Sequence, residues 1–527
     1  MSTKIIDVLI VGAGPTGTTL AIDLARRGLD IRIIDKAITS FPGSRAKGLQ
    51  PRTLEVLQDL GAIDEVMAGG SNYPLLGFHL GPLTIPWRMI ARKPRQPDIP
   101  FPSTWLIPQF RTDAALHARL AAFGHSVEFG SELTGLAQDA RSATARVSAL
   151  GETREIAARY IVGADGGGSA VRQNLGLGFE GSTHEDDRMI IVDAVTSGLP
   201  RNRWHIWPGR AGRFIGACPL PHGELFQWMI RLPPDEKPEL DLAAINRRVQ
   251  ARIGTPRVVL HDIQWKSVFR PNIRLAEHYR RGRVFLAGDA AHVHPPAGAQ
   301  GLNTGIQDAY NLGWKLGQVL AGADEGLLDS YEQERRPIAA AVLSLSTKKY
   351  EGIAKLDPSS VRRGKDERQL ALSYRDGPLA QDPAARTARL QAGDRAPDAE
   401  LVTPDGRPSR LHEAFVGPHF TAIAYGDNAA IALEDLVWPV VGAGLQRILV
   451  EVSHPRYAQE SFTDPARTFR RAYGVAEDTV FLIRPDGYVS QIAPPAARTR
   501  LQAAVALLTP SSRSFASDPT GYAGRAP

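Results

Sequence analysis

Residues 5–36, IIDVLIVGAGPTGTTLAIDLARRGLDIRIIDK, are the part of this chain that most restricts how it can fold. Ile5 to Val11 is a largely apolar run, as expected of a parallel strand covered on both faces. Gly12 permits a tight turn out of that strand, and Gly14 lets the backbone approach a pyrophosphate across Pro15 and Thr16. Gly17 lets the following helix pack closely on the strand, and the helix N-terminus turns unpaired N–H groups and a positive dipole end toward phosphates. The next strand, Ile31 to Ile34, delivers Asp35 and Lys36 about 20 residues after the glycines, where an acid can accept hydrogen bonds from a ribose. A lone glycine triplet is a weak signal, because a glycine-rich turn without a ligand has the same letters. With strand, helix and terminal acid in place, the reading is a dinucleotide-binding βαβ unit of an α/β protein.

A second glycine-rich segment, GRVFLAGDAAHVHPPAGAQGLNTGIQDAYNLGWKL, spans Gly282 to Leu316. A short apolar strand ends at Asp289, whose carboxylate could hold a ligand hydroxyl. The Pro295 to Gly301 stretch is too rich in Pro and Gly for a helix and leaves backbone N–H groups free. It runs into an apolar helix from near Leu302, so a second helix N-terminus would face the ligand. Gly305, Ala309, Gly313 and Gly317 recur at four-residue spacing along that helix. Each glycine costs about 1 kcal/mol relative to Ala, so this face is expected to make a close structural contact with the sheet or a neighbouring helix.

A third segment, IVGADGGGSAVRQNLGLGFEG, carries Asp165-Gly166 and Arg172. In order and spacing the three segments resemble the flavin-dependent aromatic hydroxylases, single-component FAD monooxygenases of the p-hydroxybenzoate hydroxylase fold, over most of residues 1–345. The resemblance implies a Rossmann-type FAD-binding domain with an inserted, mainly antiparallel β-sheet substrate domain. For the cofactor it implies Gly12, Gly14, Pro15, Thr16, Gly17, Asp35, Lys36, Asp165 and Asp289, with Pro296, Ala299, Gly301, Leu302 and Asn303 around the flavin ring. Ala299 stands where the family usually has Gly. The family also places an arginine beside the flavin or its pyrophosphate, here Arg45, and a glutamine on the cofactor, here Gln109, with Asp113 where Glu is usual. Solvated loop and cap residues are the plain alternative for Arg45 and Gln109. The helix after Leu302 would stabilise a reduced, anionic flavin by up to ~2 kcal/mol. The implied reaction has NADPH or NADH reduce FAD, oxygen add at C4a, and the flavin hydroperoxide transfer a hydroxyl to an electron-rich ring. The nicotinamide nucleotide has no second βαβ fingerprint and is expected to dock transiently.

The middle of the chain is expected to form the substrate pocket. RNRWHIWPGRAGRFIGACPL and ELFQWMIRL alternate like strands, with Leu225, Gln227 and Met229 facing opposite to Phe226, Trp228 and Ile230. Trp207, Trp228 and Pro296 are the substrate-binding candidates and Trp204 is a further one, although tryptophans are more often core residues. His205 is the titratable group that could accept a phenol proton, against the plainer reading of a solvent-facing histidine. The Trp204/Trp207 pair has some likeness to the paired tryptophans of flavin-dependent halogenases, but its spacing differs. An epoxidising or halogenase-like flavoenzyme, or a non-catalytic binder of an aromatic metabolite, are the alternatives; product mass and substrate-stimulated NAD(P)H oxidation separate them.

At 527 residues the chain has room for two or three domains. The flavin domain is expected over 1–180 and 273–345, with a Pro- and aromatic-rich loop at 70–108, the substrate sheet over 181–272, and a helical linker over 346–392. Residues 393–510 resemble the thioredoxin-like C-terminal domain of phenol and polyketide hydroxylases. Strands are expected at Phe420 to Tyr425 and Gln446 to Val452, and a hairpin over 480–492 turning at Pro485-Asp486-Gly487. Gly426-Asp427-Asn428 stands where a redox unit would need its Cys pair, so packing or oligomer contacts, such as those of a homodimer, are its expected role. The tail 511–527 is expected to be disordered. A single cysteine, Cys218, excludes a disulfide within the chain and any cysteine-based metal site, and fits a reducing cytoplasm. No apolar run approaches 18 residues, so no membrane segment is expected. The net charge of +6 is scattered among acids without a basic, aromatic-laced stripe, which argues against nucleic acid.

Overall fold

The computed structural model describes residues 4–90, 96–209, 213–234, 236–295, 299–354, 366–380, 389–453, 460–506 and 508. Pro296 and the tail 511–527 lie outside the described residues. Ile6–Val11 is the centre of a parallel sheet, flanked by Glu152–Gly163 on one side and Ile31–Asp35 on the other. Val284–Leu286 and Val127–Phe129 extend the two flanks, also in parallel. Both glycine-rich turns and the Asp165 turn therefore leave the carboxyl ends of neighbouring strands, the edge where ligands of open α/β sheets bind.

The helix Pro15–Ala25 leaves the first turn and packs against Gly301–Leu320. A Cβ at Gly305 would lie 2.3 Å from Thr16 Oγ1, one at Gly313 would lie 2.2 Å from Asp23 Oδ2, and one at Gly317 2.8 Å from Arg27 Cδ. The glycine stripe is thus a helix–helix contact, too close for any side chain.

The middle unit is a seven-stranded sheet in the order Val259–Phe269, Met189–Ser197, Leu225–Arg231, Ile215–Pro219, Arg203–Trp207, Leu75–Leu80 and Leu83–Trp87. The last two strands come from the 70–108 segment read from sequence as a loop. They form a hairpin whose turn needs Gly81 at φ +60°. Pro86 is tolerated because Leu83–Trp87 is the edge strand. One face of the sheet is covered by the helix Leu242–Ile253, whose Ile245 and Val249 pack on Phe226, Trp228 and Ile230. The other face looks toward the parallel sheet.

The helix Asp329–Ala354 follows, and Asp366–Arg368 is a 3₁₀ turn; residues 355–365 and 381–388 of the expected helical linker lie outside the described residues. The C-terminal unit is a five-stranded sheet in the order Glu460–Phe462, Leu445–Val450, Phe420–Tyr425, Thr479–Ile483 and Val489–Ala493. The first three strands are parallel and the last two form the expected hairpin. This unit is not an appendage: Phe420, Leu433 and Leu482 belong to the same continuous core as Leu9, Leu312 and Trp314. Arg484 donates to Glu334 Oε1 at 2.6 Å, Lys315 donates to Glu334 Oε2 at 2.7 Å, and all three side chains are buried.

Candidate cofactor and substrate site

A single cavity of about 1350 Å³ runs from the first glycine turn to the open face of the middle sheet. Gly12, Gly14, Pro15, Thr16, Asp35 and Lys36 line one end. Gly12 has φ +104°, and a Cβ there would lie 2.4 Å from Ala164 O, so the turn closes only with glycine. A Cβ at Gly14 would meet no protein atom within 4 Å: the space before it is cavity. Gly17 does not line the cavity. Its Cβ would lie 1.9 Å from Gly12 O, which fits the packing role. The Asp35 carboxylate accepts the N–H groups of Ala13 and Ala37, both at 2.8 Å, and so fixes the turn while facing the cavity.

In the middle of the cavity, Asp289 is exposed to that space and has no hydrogen-bond partner among the described residues. Surrounding protein raises its carboxyl above the usual range, opposed by the charges of His292 and Arg45. Asp165 is already used: it accepts Ser169 Oγ at 2.5 Å and the Val171 N–H at 3.2 Å, and burial raises its carboxyl. Arg172 donates to Ala290 O and Gly167 O, each at 2.8 Å, and so ties the Asp165 turn to the Asp289 turn. Gly301, Leu302 and Asn303 line the cavity at the start of the long helix. Asn303 accepts the Gln50 N–H at 2.7 Å and donates to Gly48 O and Ala299 O, which joins the Arg45 loop to this helix. Ala299 has φ +53°, the left-handed region that explains why Gly is usual there. Arg45 is exposed on the cavity wall, 5.3 Å from the Phe41 ring centroid. Gln109 accepts weakly from Ala46 N–H at 3.4 Å and reaches Asp113 Oδ2 at 3.5 Å. Asp113 is buried, its other oxygen has no partner, and burial pushes its pKa up to about 8.

Sequence reasoning missed the group that holds the Asp289 turn. Asp308 accepts Gly288 N–H at 3.0 Å, His292 Nε2 at 2.6 Å and Arg335 Nε at 2.7 Å, with all three side chains fully buried. Asp308 is the one acid of the helix Gly301–Leu320, and that was the available signal.

At the sheet end, the cavity is lined by Trp204, Ile206, Phe214, Gln227 and Met229, with Tyr73 and Lys47 opposite. Three sequence assignments need correction here. Trp207 and Trp228 lie on the far face of the sheet, stacked at 6.1 Å, with Trp228 completely buried and its indole N–H donating to Thr196 Oγ1. His205 lies on the same far face, 2% exposed, with Nδ1 bonded to His79 and Nε2 to Pro200 O. Burial lowers its pKa to about 4, and both nitrogens are occupied, so it faces no substrate and offers no base. Alternation along Arg203–Trp207 puts Trp204 and Ile206 into the cavity instead.

The donor set suits a dinucleotide with a polyol arm: an open approach to the backbone at Gly14, a carboxylate at Asp289 without a partner among the described residues, and a helix N-terminus at Gly301. A parallel dinucleotide-binding sheet sharing one cavity with a mainly antiparallel sheet is the architecture of a flavoprotein oxidoreductase. Residues 5–346 match the FAD binding domain family, and the chain belongs to it, among its flavin-dependent monooxygenases. It is 40% identical over 489 residues to a flavin-dependent monooxygenase of Mycobacteroides abscessus, covering 92% of this chain and 96% of that protein. It is 34% identical to the 12-dehydrotetracycline 5-monooxygenase/anhydrotetracycline 6-monooxygenase of Streptomyces rimosus, covering 93% and 95%. The solved ternary complex of aklavinone-11 hydroxylase with FAD and aklavinone superposes with a TM-score of 0.80 at 25% identity, covering 96% of this chain and 99% of that one.

Proposed function

We propose that this FAD-dependent monooxygenase hydroxylates a planar, polycyclic phenolic substrate, with NADPH or NADH as electron donor and O₂ as oxygen source. The observation that carries this reading is the continuity of the cavity from the glycine turn to a floor of Trp204, Ile206 and Met229. Names of relatives that act on fused-ring compounds support it.

FAD, when bound, supplies the redox chemistry, taking electrons from the nicotinamide and activating oxygen. The chain does the rest. The Gly12–Gly17 turn and the helix behind it hold the pyrophosphate, and Asp289 accepts hydrogen bonds from the polyol arm. The N-terminus of Gly301–Leu320 directs N–H groups at the ring end, where negative charge develops on reduction. Trp204, Ile206 and Met229 exclude water from the reacting face and give a flat surface for stacking. The buried lone Cys218 suits a reducing cytoplasm, and exposed Val437, Val440 and Val441 suit burial in a homodimer. Neither a nucleic acid nor a metal has a part in this reading; among the described residues there is no metal-ligating cluster and no helix long and apolar enough to cross a membrane.

The test is a screen of the purified yellow protein for NAD(P)H oxidation stimulated by polycyclic phenols, with the products weighed by mass spectrometry. A product heavier by one oxygen atom is expected. FAD-loaded protein that oxidises NAD(P)H yet leaves every such compound unaltered, or halogenates it, would overturn the proposal.

A further inference from the structure

Lys47 is a cation in the substrate half of the cavity with no carboxylate within ion-pair distance among the described residues. Its Nζ donates to Gln227 Oε1, lies 3.9 Å from Met229 Sδ and sits 4.4 Å from the Trp204 ring centroid. An amide, a thioether and an indole face are thin compensation for an ammonium taken out of water. Burial accordingly lowers its pKa, opposed by the charges of Cys218 and Asp193. By contrast, Arg231, another cation on the cavity wall, is paired through two hydrogen bonds with Asp187 at 2.8 and 2.9 Å.

The ammonium is held in place by a connected chain. Asp193 accepts both the N–H and the hydroxyl of Ser44, at 2.6 and 2.5 Å. Ser44 in turn accepts the Gln227 side-chain N–H, at 2.7 Å on its hydroxyl, which turns Oε1 of Gln227 to Lys47. A site that needed only apolar volume at position 47 would be cheaper with Met or Leu. A cation held this way, between an aromatic wall and an open cavity, has its missing partner in the ligand.

We propose that Lys47 receives an ionised ring oxygen of the substrate, so that the cavity selects polycyclic phenols and enols acidic enough to bind as anions. This rests on the aromatic-hydroxylase reading above. If Lys47 is charged when the phenol arrives, the phenol's proton leaves to solvent; if Lys47 is neutral, that proton passes to Nζ. Either way the bound pair is ammonium and phenolate, and ionisation makes the ring richer in electrons.

Alizarin and its dimethyl ether separate the outcomes, because alizarin reddens on ionisation and the ether cannot ionise. Equilibrium dialysis and visible spectra of the FAD-loaded protein are read below the pH at which free alizarin ionises. The unaltered protein should bind alizarin as its red anion and the ether without a colour change. Lys47→Met should weaken alizarin binding roughly tenfold to a hundredfold and abolish the red shift, with ether affinity and FAD content kept. Lys47→Arg should restore the shift; if Lys47→Met loses FAD, Lys47→Gln makes the same comparison. A Lys47→Met or Lys47→Gln protein that binds alizarin with undiminished affinity and the same colour overturns the assignment. Unaltered, FAD-loaded protein that binds neither compound overturns the polycyclic-substrate reading beneath it, and the Lys47 assignment with it.

Discussion

Asp113 is a buried carboxyl with one oxygen unpartnered, and its environment makes a specific claim about pH. Its folded pKa of about 8 lies well above the ordinary value, so between about pH 4 and pH 8 the folded chain holds a proton that the unfolded chain has released. Stability from this group is therefore greatest below about pH 4 and is lost as pH rises toward 8. Asp113→Asn should flatten that decline, leaving the FAD-free variant more stable than the parent near pH 8 by about 1–3 kcal/mol, read as denaturant midpoints across a pH series. Asp193, pushed up to about 6 by burial, acts in the same direction in both proteins and cancels in the difference. Asp289 differs because its carboxylate faces open cavity. Asp289→Ala should weaken FAD binding roughly tenfold to a hundredfold, measured by flavin fluorescence, while the melting temperature of the FAD-free protein stays nearly constant. Early unfolding of the FAD-free variant would show instead that this carboxylate serves the fold.

Among the elements, the contact between Pro15–Ala25 and Gly301–Leu320 makes both glycine-rich segments answer to each other. In an isolated helix, Gly305→Ala would gain about 1 kcal/mol. Here its Cβ would lie 2.3 Å from Thr16 Oγ1 and 3.2 Å from Gly288 Cα, so the variant should lose about 1–3 kcal/mol and bind FAD less tightly, shown by denaturation and flavin titration. This contact was legible because four-residue glycine spacing has few other causes. The faces of Leu225–Arg231 were legible too, since alternation separates Gln227 and Met229 from Phe226 and Trp228. Which face meets the cofactor was not legible, because parity gives two sets and burial alone favours neither. The aromatic set drew the assignment, and it is the core set: tryptophan and phenylalanine were needed beneath the helix Leu242–Ile253. The hairpin of Leu75–Leu80 and Leu83–Trp87 escaped notice because it joins the sheet only through Arg203–Trp207, more than a hundred residues away in the chain. Asp308 and Lys47 were missed for the same reason, as each is defined by groups that only the fold gathers.

For the molecule as a whole, the C-terminal unit is joined to the cofactor domain by charges as well as by core. Arg484 donates to Glu334 and Asp486, Arg395 is paired with Glu55, and Tyr310 donates to Pro485 O at 2.8 Å. Arg484→Met would leave Asp486 and part of Glu334 uncompensated in a buried setting and should cost about 3–5 kcal/mol in denaturant unfolding, with both units melting in one transition. A Met that unfolds the C-terminal unit alone, leaving the flavin in place, would show that the two halves are separable. Every cofactor motif lies within residues 5–346, a stretch that leaves the ribosome before Arg484 has been made. During that interval Glu334 has Lys315 and Asn311 but not Arg484, and the Trp314 face lacks Phe420, 5.6 Å away in the finished protein. The cofactor half therefore cannot complete its own interior until the C-terminal strands have been made and seated against it.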